Sequence, residues 1–221
     1  MHRIGGLLLY NQKIYRLSSD NLIGSLPYKQ QGLAARATYS WNDRYFFEAN
    51  LGYNGSENFS PEKRFGFFPA FGLGWAISNE AWWESLQETV SYFKVRYTDG
   101  LVGTDAVTGR RFMYLDQMAS VDGYRFGDQN NGVGGWGFSK YGANVGWSTS
   151  RKQDLGVDLK FFKDNLSLTL DIFKEHRKDI FIARRVIPDY SGFVEMPYAN
   201  LGVVDNKGCL LYTSPSPRDI S

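Results

Sequence analysis

Alternation of apolar and polar residues limits the possible folds of this sequence more than any other feature. Apolar residues take every second position in residues 33–41, and the pattern resumes in residues 45–53. Because successive side chains of a strand point to opposite faces, this period of two predicts β-strands with one apolar face. Asn42 and Asp43 separate the two runs, and both residue types tolerate positive φ. They therefore predict a two-residue hairpin turn.

The same alternation recurs in residues 155–161 and 166–172, on either side of the short link Lys163-Asp164. Weaker versions of it occur elsewhere in the chain. The sequence thus predicts an all-β, antiparallel fold of about eight strands. The predicted strands are residues 3–11, 33–41, 45–53, 67–77, 89–97, 155–161, 166–172 and 199–207.

The links between these strands fall into two length classes. The short links are residues 42–43, 78–88 and 163–164, and the long links are residues 12–30, 55–66, 98–149 and 177–198. If consecutive strands are antiparallel, all long links lie at one end of the sheet. That arrangement is typical of outer-membrane barrels, which have short periplasmic turns and long external loops. Link 78–88 is expected to hold one or two helical turns, with Trp82 and Trp83 anchoring the rim at headgroup level.

A soluble sandwich would pack the apolar face on a core, whereas a barrel would turn it toward membrane lipid and line a hydrated lumen with the other face. The other face carries bulky charged residues, which suit a wide, wet interior. These residues are Arg36, Arg44, Glu48, Lys94, Arg96, Asp158, Lys160 and Asp171. A transmembrane barrel segment is therefore favoured. The alternative is a secreted soluble all-β carbohydrate-binding or adhesin-type module, and a complete eight-stranded barrel is disfavoured.

Few residues suggest reaction chemistry. His2 and His176 are the only histidines, Cys209 is the only cysteine, and no metal-ligand or nucleophile motif surrounds them. The glycine-rich residues 131–137 lack the Lys-Ser/Thr of a phosphate loop. The net charge is +2 with no basic stripe, which argues against nucleic acid as a partner. We expect no enzyme activity, no cofactor, no metal and no catalytic residues.

Five stretches, in this order, resemble SusC/RagA-like TonB-dependent outer-membrane transporters. They are residues 44–59 (RYFFEANLGYNGSENF), 61–80 (PEKRFGFFPAFGLGWAISNE), 93–97 (FKVRY), 154–159 (DLGVDL) and 200–208 (NLGVVDNKG). Each stretch alone is modest support for the resemblance. Their ordered combination is specific.

The resemblance implies that residues 1–208 form part of the C-terminal half of a barrel of about 22 strands. It implies a Gram-negative, Bacteroidetes-like outer membrane and the import of oligosaccharides or peptides. It also implies a SusD-like lipoprotein lid, and a plug and TonB contact that lie outside this sequence. No signal peptide is visible, so we expect the natural N-terminus to lie upstream.

The family pattern stops at Gly208. Residues 209–221 break the alternation, and Pro215 and Pro217 occupy positions where a ladder would continue. We therefore expect the strand to end at Gly208. Residues 209–221 are expected to be a non-native tail, derived from a frame change or from read-through of a sequencing adaptor.

The two longest links carry aromatic residues beside Asp and Asn, a combination that suits sugar binding. The aromatic candidates are Tyr114, Tyr124, Trp136, Tyr141 and Tyr190. Alternatively, these residues fold the loops onto one another or contact the lid. The sequence assigns none of them to a substrate-binding site.

Overall fold

The computed structural model describes residues 1–18, 22–105, 111–121, 123, 125–127, 131–132, 134–162, 164–188 and 196–215. The strands, in chain order, are β1 (His2–Tyr15), β2 (Tyr28–Trp41), β3 (Tyr45–Ser56), β4 (Phe65–Ala76), β5 (Val90–Thr104), β6 (Gln117–Val121), β7 (Arg125–Phe126), β8 (Asn131–Gly132), β9 (Gly135–Lys140), β10 (Ser148–Phe161), β11 (Leu166–Ala183) and β12 (Tyr198–Pro215). A four-residue helix, α1 (Leu22–Ser25), precedes β2.

Eight strands form one antiparallel sheet in the order β1-β2-β3-β4-β5-β10-β11-β12. The sheet is not closed, because β1 and β12 lie at its two edges. The remaining strands form two small sheets, β6 with β9 and β7 with β8, within the link between β5 and β10. No helix among the described residues is long and apolar enough to span a bilayer. The predicted all-β antiparallel class is confirmed.

The two faces of the sheet differ as the alternation predicts. On β4 the exposed side chains are every second residue, with Phe67 55% and Leu73 50% exposed, and the residues between them are more covered. We call the face with the apolar side chains the outer face and the opposite one the inner face. The aromatic and aliphatic side chains of the outer face pack on no second layer among the described residues. The sandwich alternative, which requires a covered apolar face, is therefore not supported.

The links alternate between the two ends of the sheet as predicted, but their lengths sort less cleanly, since link 57–64 at one end is shorter than link 77–89 at the other. Residues 42–44, 77–89 and 162–165 connect strands at one end of the sheet, which we call the short-link end. Residues 16–27, 57–64, 105–147 and 184–197 connect strands at the other, the long-link end. The links alternate between the two ends because the eight strands of this sheet follow one another as antiparallel neighbours.

The first hairpin turn has the predicted residues with one addition. Asn42 and Asp43 have φ of 51° and 53°, as expected for a turn that needs positive φ at both positions. Trp41 pairs with Tyr45, so the link has three residues and includes Arg44. The prediction that Arg44 lies on the inner face is wrong, because this extra residue removes it from the strand.

Link 77–89 contains two 3₁₀ helices, Ile77–Asn79 and Ala81–Leu86, which confirms the prediction of short helical turns. Trp83 donates a hydrogen bond to the carbonyl of Val90 at 3.2 Å and packs against Phe93. Trp82 is 61% exposed beside it. Trp83 thus braces the start of β5, and the role of Trp82 as a rim anchor stays a prediction.

Most strands extend farther toward the long-link end than predicted. Strand β5 continues beyond residue 97 to Thr104, β10 begins at Ser148 before residue 155, and β11 continues beyond residue 172 to Ala183. These extensions carry polar residues on both faces, so alternation gives no signal for them. The sheet therefore continues past the outer-face apolar band at this end.

The expected end of the last strand at Gly208 is wrong. Strand β12 continues to Pro215 and pairs with β11 as far as Leu166. Proline has no backbone N–H to donate. It is tolerated at the end of β12 because β12 lies at the edge of this sheet. Residues 216–221 lie outside the described part of the chain. The non-native origin of residues 209–221 stays a prediction.

The two faces can be separated by the chemical reactivity of introduced thiols. In the complete barrel with Cys209 replaced by serine, a thiol from Thr169→Cys should react with a membrane-impermeant maleimide, because residue 169 is on the inner face. A thiol from Leu168→Cys should stay protected by lipid. Mass spectrometry of labelled protein in vesicles measures both, and the reverse reactivity would contradict the assignment of the faces.

Candidate functional site

The inner face is organised around Arg96 of β5. Its guanidinium lies 3.2 Å from a carboxylate oxygen of Asp158 on the adjacent strand β10 and 2.7 Å from one of Asp171 on β11. Asp158 also accepts a hydrogen bond from Thr169 at 3.1 Å. One cation thus links three neighbouring strands across the inner face.

Gly156 makes this arrangement possible. It lies on β10 between Arg96 and Asp171, which are its partners on the two adjacent strands. A Cβ at position 156 would lie 2.6 Å from an oxygen of Asp171 and 2.8 Å from Cγ of Arg96. The absence of a side chain therefore lets the arginine pass over β10 to its second carboxylate.

Further polar groups continue along the same face. Arg36 pairs with Glu48 at 2.8 Å, and Asn50 donates a hydrogen bond to that carboxylate at 2.8 Å. Glu175 accepts hydrogen bonds from Ser150 at 2.6 Å and from Arg177 at 3.0 Å. The charged residues predicted for a wet interior thus lie on the inner face, apart from Arg44.

A groove of about 520 Å³ opens on this face. It lies over Gly5, Gly72 and Gly74, where missing side chains leave space, and it is bordered by Phe46 and Glu48. The inner face is therefore an uneven surface of charges, amides and small residues. Such a surface suits weak, hydrated contact with a passing polar solute.

Arg111 ties the long links together. Its guanidinium donates to Glu57 at 2.7 and 3.1 Å and to the carbonyls of Leu26 at 2.9 Å and Pro27 at 3.1 Å. The guanidinium carbon is 3.6 Å from the ring centroid of Tyr28. These contacts join three of the four long links. Arg111 was not predicted from the sequence, because nothing in its neighbours along the chain marks a loop arginine as structural.

A small hydrophobic core lies at the same end. Phe59, Met113, Ala143 and Val145 are buried together, and Trp147 and Phe181 pack against them. The Trp147 indole also donates to the carbonyl of Arg64 at 3.2 Å. The described parts of links 57–64 and 105–147 are therefore held together by a shared core.

Asn200 attaches the last strand to this region. Its amide nitrogen donates to the carbonyls of Gly146 at 3.0 Å and Asp179 at 2.6 Å, and its oxygen accepts from the backbone N–H of Gly146 at 2.9 Å. Asn200 opens the stretch 200–208 that carried one of the resemblances. The resemblance thus includes Asn200, but the sequence does not predict its contacts.

Glu80 holds the short-link end. It accepts hydrogen bonds from the hydroxyl of Tyr45 at 2.9 Å and the indole of Trp75 at 3.2 Å, and it pairs with Arg44 at 3.3 Å. The hydrogen bond from Tyr45, followed by that from Trp75, lowers the pKa of the Glu80 carboxyl below its ordinary value of 4.5. The turn arginine and the link glutamate therefore fix two adjacent short links to each other.

The candidate cargo-binding aromatics have different environments. Tyr141 stacks on Phe138 with 5.4 Å between ring centroids, and Tyr114 meets Phe112 edge-on at 6.4 Å. Both therefore pack within their own loop. Trp136 on β9 is 75% exposed. Tyr124 and Tyr190 lie outside the described residues.

Both histidines have one polar neighbour. Nδ1 of His2 lies 2.9 Å from the hydroxyl of Tyr39, and Nδ1 of His176 lies 2.7 Å from a carboxylate oxygen of Asp205. No group of three or more His, Cys, Asp or Glu side chains in the described ranges is placed to hold a metal ion. The described residues together form a polar inner face, with a packed loop core at the long-link end.

Comparison with known proteins gives consistent results. A family model described as "TonB dependent receptor-like, beta-barrel" matches residues 8–209. TonB-dependent receptor P3 of Formosa agariphila is 30% identical over 173 residues, which are 78% of this chain and 17% of the relative. TonB-dependent receptor SusC of Bacteroides thetaiotaomicron is 26% identical over 176 residues, which are 78% of this chain and 17% of the relative. The chain thus spans a small part of the length of these relatives.

Solved structures show the same fold. The structure of the RagAB peptide transporter matches with a TM-score of 0.79 and 17% identity, covering 99% of this chain and 26% of that chain. The RagAB peptide importer in its open-open state matches with a TM-score of 0.75 and 20% identity, covering 96% of this chain and 25% of that chain. At these identities the similarity establishes the shared fold of a barrel segment.

The role of Gly156 predicts a specific sensitivity. Gly156→Ala should lower the free energy of unfolding of the complete barrel by about 1–3 kcal/mol, because the new methyl group displaces Arg96 from Asp171. Gly72→Ala is the matched control, since a Cβ there would meet its nearest neighbour at an ordinary 3.6 Å. Urea unfolding in vesicles measures both variants, and equal effects would contradict the proposed role of Gly156.

The Glu80 interactions predict a dependence on pH. A carboxyl with a lowered pKa stabilises the fold above its unfolded-state pKa, and this contribution is lost as the pH falls through the lowered value. The stability difference between the wild type and Glu80→Gln should therefore be larger at about pH 7 than at about pH 3. Glu84→Gln, at an exposed position of the same link, is the control. A pH-independent difference for Glu80→Gln would disprove the ionic role.

Proposed function

Because this chain belongs to the TonB dependent receptor-like, beta-barrel family, we propose that it forms part of the wall of an outer-membrane transporter for nutrient uptake. Its eight strands make one sector of a larger barrel, with the outer face toward lipid and the inner face toward the transport path. The short-link end faces the periplasm and the long-link end faces the outside.

One observation favours this proposal over the alternative of a soluble module. The apolar side chains of a single-layered sheet are bare, while the opposite face carries ion pairs such as Arg96 with Asp171. A soluble module would leave this apolar surface in water at a high cost in free energy. In a membrane, lipid covers the same surface. The secreted binding module therefore remains the weaker candidate.

Energy for uptake comes, in this proposal, from TonB acting on a part of the transporter outside this chain. The names of the curated relatives, TonB-dependent receptors P3 and SusC, support this step. The cargo is an oligosaccharide or a peptide, the latter supported by the similarity to the RagAB peptide transporter. The inner face offers charged groups and side-chain amides, which hydrogen-bond either class.

A SusD-like lipoprotein is proposed to cover the long-link end. Its contact surface would be the loops that Arg111 and the Phe59 core hold in place. Loops fixed by a largely covered arginine and a hydrophobic core present the same surface to a partner without first losing conformational entropy. This makes the long-link end suited to stable docking.

Uptake is tested by deleting the gene in the organism that carries it. The deletion strain should lose growth on one class of nutrient, an oligosaccharide or a peptide mixture, as sole source, and a plasmid copy should restore it. Loss of TonB should give the same defect, while growth on a monosaccharide is the control. Normal growth of the deletion strain on all oligosaccharide and peptide sources, with the protein absent from the outer-membrane fraction of the wild type, would refute the proposal.

A further inference from the structure

The outer face of β5, β10, β11 and β12 changes from apolar to polar between two adjacent rows of side chains. The last mainly apolar row, side by side across the four strands, is Tyr97, Leu155, Ile172 and Cys209. Two residues farther toward the long-link end of each strand, the next row is Asp99, Gln153, Lys174 and Lys207. Two residues advance a strand by about 6.6 Å, so the change is abrupt.

The carboxylate in the polar row is already neutralised. Asp99 accepts hydrogen bonds from Arg151 at 2.6 and 3.1 Å and from Gln153 at 3.0 Å, and it is only 6% exposed. In the next row, Asp205 lies 2.7 Å from the ring nitrogen of His176. The acidic groups beside the polar row therefore have partners of their own.

Among the described residues, Lys174 and Lys207 have no such partner. They are directly opposite each other on β11 and β12, and both are exposed. Within the described ranges, neither forms an ion pair with a carboxylate, and the ion pairs at this end involve other cations. Directly opposed side chains of an antiparallel pair have Cβ atoms about 4.5–5.5 Å apart, and like charges at this position destabilise the pair.

We propose that Lys174 and Lys207 together bind the phosphate of a lipid in the outer leaflet. The inference rests on the proposed membrane orientation, in which the long-link end faces outward. The two ammonium groups project from the outer face one row beyond the apolar band, which is where lipid headgroups meet a barrel. A phosphate between them accepts hydrogen bonds from both and converts their repulsion into attraction.

The position of the pair favours a lipid over a free anion. On the same face of β11, Ile172 lies directly below Lys174, and Leu170 continues this surface. Acyl chains of a bound lipid would pack on these side chains while its headgroup meets the lysines. A free phosphate would gain only the charge contacts, which salt screens at an exposed site.

The binding test uses the purified full-length protein in detergent, with phosphorylated lipid A as the probe and native mass spectrometry as the readout. Phosphatase-treated lipid A should bind at least about tenfold more weakly, since two lysines near a headgroup contribute an attraction of this order. The double variant Lys174→Gln/Lys207→Gln should bind the phosphorylated lipid as weakly as the wild type binds the treated one. Inorganic phosphate should not compete at equal concentration.

The matched control is Lys94→Gln/Lys160→Gln, which removes the same charge from the inner face and should leave lipid binding unchanged. Retained binding by the Lys174/Lys207 double variant, an equal loss in the control, or competition by inorganic phosphate at equal concentration would each overturn the proposal. A single variant, Lys207→Glu, separates binding from a merely structural role. It should raise the thermal midpoint without lipid, because it pairs with Lys174, and abolish the further rise on adding phosphorylated lipid A.

Failure of this inference is distinguishable from failure of the proposed function. If the variants and the wild type all support nutrient uptake but bind phosphorylated and treated lipid A alike, only the lysine site is wrong. If the wild-type protein is absent from the outer membrane and its loss affects no nutrient, the proposed function is wrong, and the membrane orientation that the site requires is lost with it.

Discussion

Backbone hydrogen bonding between neighbouring strands supports everything else in this sheet. In the part of the chain that the structure describes, the sheet is one layer thick and its apolar face is bare, so no second layer presses the strands together. In hydrocarbon an unpaired backbone amide or carbonyl costs several kcal/mol, and strands can exist there only when each neighbour is present. The two edges, β1 and β12, therefore need further strands before this sector can reside in a membrane.

Residues in the stretches that resemble known transporters form tertiary contacts with one another. Arg96, from one stretch, passes Gly156 of another stretch and pairs with Asp158 and Asp171. Glu80 ends the stretch that contains Trp75 and accepts its hydrogen bond, together with one from Tyr45 of the stretch before. Residues of different stretches, far apart in sequence, thus contact one another within one sheet.

The sequence predicted the parts of the fold in which one face is apolar. The alternation placed all eight strands and their two faces, and the turn residues placed the first hairpin. It does not identify the extensions of β5, β10 and β11, because these carry polar residues on both faces. Arg111 and Asn200 act through backbone carbonyls of distant links, and no local pattern reveals such partners. Strand β12 continues past Gly208 because it pairs with β11. The composition of residues 209–215 does not predict this pairing.

The glycine beneath Arg96 has a consequence for how this sheet assembles. Alternation alone is blind to a slip of two residues between neighbouring strands, since every side chain would keep its face. A two-residue slip of β10 against β5 would bring Asp154 or Asp158 beside Arg96 in place of Gly156. The arginine would then be blocked from β11 and Asp171 would lose its cation. One small residue thereby distinguishes the native alignment from its nearest competitors, which hydrophobicity cannot do.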